Sequence, residues 1–83
     1  MDSLSLQEIE QRVLAAPGVS LVRASGDGKH FELLVVANYF TGLTTLARQR
    51  WVYTQLGDLI TSGRMHAVTM RTLTESEWEK QHG

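Results

Sequence analysis

Residues 65–80 read MHAVTMRTLTESEWEK. The first nine, Met65 to Leu73, predict a strand, with His66, Val68 and Met70 sharing one face. Thr74 followed three residues later by Glu77 is a capping-box pattern, so a short helix carrying Trp78 begins where the strand stops. Upstream, residues 43–62 form a long helical stretch. Leu46, Val52, Leu56, Leu59 and Ile60 mark its buried stripe, and Gly63 fits its C-cap. Thr44 and Thr45 are candidate break points between a short helix and a longer one. A strand reached through a helix returns to the sheet parallel to its predecessor, by a right-handed crossover. This reading of residues 65–80 decides the fold.

The rest of the chain supplies the predecessor. SLQEIEQRVLAA, residues 5–16, starts on a second capping box, Ser5 with Glu8. Leu6, Ile9, Val13 and Ala16 recur at helical spacing, and Pro17-Gly18 ends the helix. VSLVRASGDGKHFELLVVAN, residues 19–38, is two strand-like runs around Gly26-Asp27-Gly28, a β-hairpin. Phe31, Leu33, Val35 and Ala37 share one face of the second run. Leu34 and Val36 are apolar on the other face, which predicts a central strand covered in part on both sides. A turn is expected at residues 39–42. The fold class is therefore α+β, with a three-stranded mixed sheet, two strands antiparallel and one parallel, and helices mainly on one face.

The chain has 83 residues, 42% of them hydrophobic, and a single proline, which predicts one folded domain over residues 1–83. No apolar run is long enough to span a bilayer, and MDSLSLQEIE lacks a signal-peptide pattern, so a cytoplasmic location is expected. There is no cysteine. Thiol nucleophiles, CxxC redox chemistry and thiolate metal sites built by this chain alone are excluded. The formal charge of −1 speaks against a dedicated nucleic-acid binder, whose affinity comes largely from neutralised phosphates. No nucleophile–base–orienter set can be named, so no enzyme activity is expected.

Three histidines remain. His66 is read either as a partly buried histidine bonded to a backbone carbonyl or as a metal ligand. His30 is read either as a solvated residue at a strand start or as a second ligand, with Asp27 a candidate oxygen ligand nearby. No HxH or HExxH spacing supports a centre by itself. His82 lies near the terminus and is set aside. The glycines of SGDGKH match neither phosphate-binding pattern and read as a hairpin turn. In LARQRWVY, residues 46–53, Arg48 and Arg50 interleave with Trp51 and Tyr53. That is either a nucleic-acid grip or a solvated edge beside partly buried aromatics.

Three stretches resemble the BolA-like family, in particular its short bacterial IbaG-type branch. SGDGKHFELLVV (25–36) resembles the family hairpin. YFTGLTTLARQRWVY (39–53) is similar to its helical signature. MHAVTMRTLTESEW (65–78) is similar to its most specific motif, His-Ala, a strand, then Thr-x-x-Glu/Gln-Trp. The resemblance implies an αββααβα fold like a class II KH domain without its GxxG loop. It implies a non-enzymatic adaptor that pairs with a monothiol CGFS glutaredoxin and shares a bridging 2Fe–2S cluster with that partner and glutathione, in iron–sulfur trafficking or iron sensing. His66 takes the place of the family's ligand histidine. Where many members carry a loop Cys or His, this sequence has Asp27. His30, which matches a histidine before the Phe in the bacterial branch, is the implied substitute. Since some members are linked to transcription, the alternative is a DNA-binding regulator using a KH-like surface, with Arg48 and Arg50 on phosphates. A third reading is steric modulation of the glutaredoxin without a cluster.

Overall fold

The Ser5 hydroxyl accepts the amide of Glu8 at 3.1 Å, and the Glu8 carboxylate accepts the amide of Ser5 at 3.5 Å. This reciprocal cap starts helix α1, Leu6–Leu14, which buries Ile9 and Val13. The helix stops two residues earlier than the apolar spacing predicts, and Gly18 turns the chain with φ +83°. Strands β1, Val19–Gly26, and β2, His30–Ala37, pair antiparallel as the hairpin. A single 3-10 turn, Asn38–Phe40, carries the chain over. Helix α2, Thr45–Thr61, follows, then strand β3, Ala67–Leu73, parallel to β2, and helix α3, Glu75–His82. The computed structural model describes residues 5–26, 30–62 and 67–82. The predicted C-cap, Gly63, lies outside them.

The strand order is β1-β2-β3, so β2 is central. The apolar character on both of its faces has that cause. Phe31, Leu33, Val35 and Ala37 are buried among Ile9 and Val13 of α1 and Val52, Leu56 and Leu59 of α2. On the other face Val36 is buried, where α3 contacts β2 and β3, and Leu34 is half-buried.

Two expectations need correction. The shorter of the two central helices is the 3-10 turn at 38–40, which takes the last residue of the strand-like run and the first two of the expected turn. It drives Phe40 into the core at 0% exposure, and Gly42, at φ +81°, ends it. Thr44 does not break a helix. Its hydroxyl accepts the amide of Ala47 at 3.1 Å and caps α2. The second correction is Leu46, which is 56% exposed and not part of the buried stripe. The stripe is Arg48, Val52, Leu56 and Leu59, with Ile60 partly buried against the same core. An arginine occupies the position that the apolar pattern assigned to a leucine one half-turn away.

Side chains tie α1 to its neighbours on both sides. The Glu10 carboxylate accepts the amide of Ala24, on β1, at 2.9 Å. Arg12 of α1 pairs with Asp58 of α2.

Candidate functional site

Parallel pairing puts the N-terminal ends of β2 and β3 at one end of the sheet. The first rung of that ladder is His30 with Ala67. His30 is exposed and lies on the face of β2 that carries Glu32 and Leu34. Ala67 is the residue directly after His66. The fold therefore brings the chain at position 67 beside His30, although 37 residues separate the two in sequence. His66 and Asp27 themselves lie outside the described residues. Among the described residues no group of three or more His, Asp or Glu side chains gathers where it could hold a metal ion.

Gly26 shapes this end of the sheet. It sits at φ +151°, and a Cβ there would lie 2.3 Å from the carbonyl oxygen of His30 and 3.0 Å from the Cα of Phe31. Only a residue without a side chain lets the two strands meet so closely.

Arg48 and Arg50, paired in the sequence reading, separate in the structure. Arg50 is exposed. The Arg48 side chain is only 12% exposed. Its Nε donates to the Leu43 carbonyl at 3.0 Å, and its Nη1 donates to the Thr72 carbonyl at 2.9 Å and to Glu77 Oε1 at 2.8 Å. The guanidinium carbon stands 5.8 Å from the centre of the Phe40 ring. The reading of Arg48 as a solvated edge is corrected. This residue joins the turn before α2, the end of β3 and the first turn of α3. Glu77 is the reciprocal half. Its Oε1 also accepts the Thr74 amide at 2.8 Å, while its own amide donates to the Thr74 hydroxyl at 3.1 Å. The Arg48 hydrogen bond, with the Thr74 amide second, holds the Glu77 carboxyl below the usual range. Two sequence signals pointed to this junction. Arg48 lies four residues before Val52 on the buried stripe, and Glu77 sits in a capping box beside the strand end.

The aromatics share the work. Trp51 is half-buried, edge-on to Phe40 at 5.6 Å and tilted against Tyr39 at 5.3 Å. Tyr53 is 43% exposed.

A family model described as BolA-like protein matches residues 9–77. The chain belongs to the BolA-like family. It is 34% identical over 73 residues to the acid stress protein IbaG of Escherichia coli K12, an alignment covering 88% of this chain and 87% of that protein. It is 36% identical over 55 residues to the DNA-binding transcriptional regulator BolA of the same organism, covering 66% of this chain and 51% of that one. Among solved structures, the bolA protein homologue from Coxiella burnetii superposes with a TM-score of 0.80 at 35% identity, covering 92% of this chain and 97% of that one. The BolA-like match spans the hairpin, the crossover and the Thr74–Glu77 cap, the same segments whose pairing and capping are described above. No helix of the described residues is long and apolar enough to cross a membrane.

Proposed function

We propose that this BolA-like chain is a non-enzymatic adaptor that pairs with a monothiol glutaredoxin and shares a 2Fe–2S cluster with it and with glutathione. The observation that carries the reading is the first rung of the parallel ladder, where exposed His30 faces the residue that follows His66. The donor chemistry fits a shared cluster. Such clusters take four ligands, mostly thiolates, and this chain has no cysteine, so it can bring imidazole or carboxylate and the partner must bring the sulfur. His66 and His30 are the ligands assigned, and Asp27 is the loop alternative to His30. When bound, the cluster supplies a one-electron redox centre whose potential is raised by histidine ligation. This chain's part is to present neutral imidazole at one end of its sheet and to dock the partner there.

The test is anaerobic reconstitution with a monothiol glutaredoxin, glutathione, iron and sulfide, followed by visible absorption and circular dichroism. The mixture should give a spectrum distinct from that of the glutaredoxin alone. His66→Ala should abolish the difference, and His30→Ala should weaken it. A wild-type spectrum kept in both variants would remove the histidines from the site, and a mixture indistinguishable from the glutaredoxin alone would leave steric modulation without a cluster. Because imidazole binds metal only when neutral, retention should fall as the solution is acidified.

A second reading has one observation in its favour, the likeness to a relative named as a DNA-binding transcriptional regulator. Here the KH-like surface would contact phosphates through Arg50, since the guanidinium of Arg48 is taken up by internal partners. Arg50→Glu should then remove a salt-sensitive DNA affinity without disturbing the fold.

A further inference from the structure

The helices α1 and α2 cover one face of the sheet, and the strand registers define the other. Arg23 of β1 pairs with Leu34 of β2, and Leu34 pairs with Arg71 of β3. The three side chains form one cross-strand row, two guanidiniums on either side of a leucine. Both arginines are exposed, and Leu34 is half-buried. Neighbouring strands lie about 4.8 Å apart, so the two arginine α-carbons are roughly 10 Å from one another. A groove of about 680 Å³ runs over this row, with Leu21 extending its apolar floor and Thr69 and Glu32 closing the end toward His30.

The charges facing this groove are few. Among the described residues the ion pairs are Arg12 with Asp58 and Arg48 with Glu77, so neither Arg23 nor Arg71 is paired with a carboxylate there. Arg71 donates one hydrogen bond to Gln81 of α3 at 2.6 Å, which fixes its side chain over the sheet. The carboxylate of Glu10, at the rim, is engaged by the Ala24 amide.

We propose that this groove docks an acidic segment of a partner protein, two carboxylates seated on Arg23 and Arg71 with an apolar side chain between them on Leu34. Guanidinium recognises carboxylate through two parallel hydrogen bonds, and an apolar floor between the forks fixes the spacing. The same face is ill suited to a nucleic-acid strand. No aromatic ring lines the groove for base stacking. The groove is a site separate from the Arg48 junction, and the proposal does not depend on a cluster at His30 or His66.

The test uses the full chain, uniformly labelled with 15N, and a fluorescein-labelled peptide of alternating Glu and Leu. Amide shifts should concentrate in residues 21–25, 32–34 and 69–71. Arg23→Glu and Arg71→Glu should each weaken binding by about tenfold or more. Both positions are exposed on the sheet, and an unchanged thermal midpoint confirms that each variant folds. Added salt should weaken the wild-type complex, and a Lys–Leu peptide of equal length should not bind. Shifts confined to α1 or α2, wild-type affinity in either Glu variant, or equal affinity for the Lys–Leu peptide would overturn the proposal. So would tighter binding of single-stranded DNA or of inorganic phosphate with the same arginine dependence.

Discussion

Arg48 shows how much one residue can hold. Its three hydrogen bonds end on the carbonyl of Leu43, the carbonyl of Thr72, a residue 8% exposed, and the more exposed carboxylate of Glu77. Arg48→Ala takes the side-chain donor from two backbone carbonyls and empties a nearly buried position, so a loss of about 1–3 kcal/mol is expected in urea unfolding. Arg48→Lys should recover only part of it, because an ammonium cannot reach three acceptors in one plane. Equal stability of wild type and Arg48→Ala would show that the junction is ornamental. Gly26 is the second decisive residue. Gly26→Ala puts a methyl group against backbone atoms that cannot swing aside, and a cost of about 2–3 kcal/mol is expected, read as a lower thermal midpoint. The same variant should move the amide signals of His30 and Phe31, since the clash falls on those two residues.

The elements were legible wherever their signal is local. Both capping boxes form as the sequence spells them, and the two runs that flank the expected hairpin turn do pair antiparallel. Thr74→Ala should cost about 1 kcal/mol, because Thr74 is nearly buried and its hydroxyl is the acceptor for the Glu77 amide. Loss of helicity in α3 by amide hydrogen exchange would accompany it, and unchanged protection of residues 75–82 would refute the cap's role. What failed was non-local. A side chain's destination is not written in its own helix. Leu46 fits an apolar stripe as well as its neighbours do, yet points to solvent. Arg48 breaks that stripe, yet is the residue taken inside, because its acceptors come from Leu43, Thr72 and Glu77, in three other segments. The shorter central helix was missed for a related reason. Three residues carry no periodicity, and burial of Phe40 defines that turn more than propensity does. Of the candidate ligands, only His30 falls among the described residues. The rung with Ala67 follows from the crossover, and that crossover was readable in residues 43–73.

At the scale of the whole molecule, two carboxylates link stability to pH. Arg12 lowers the Asp58 pKa below its ordinary value, chiefly by a hydrogen bond, and Arg48 does the same for Glu77. A depressed folded-state value means that the unfolded chain binds the proton more readily. The contribution is complete above the unfolded values of 3.8 and 4.5 and is lost as pH falls through the lower folded ones. Urea midpoints should therefore hold level above about pH 5 and drop below it. Glu77→Gln should lower the plateau and flatten the drop, and an acid limb of unaltered slope in that variant would exclude Glu77 from the linkage. The contact between Glu10 and the Ala24 amide has a consequence at this scale too. An antiparallel strand at the border of a sheet carries a row of unsatisfied donors, and a neighbouring molecule can add a strand of its own to them. The first helix lays a negative charge against that row, in the position an incoming strand's carbonyl would need. A strand added at that border would have to displace the Glu10 carboxylate before it could take the Ala24 donor.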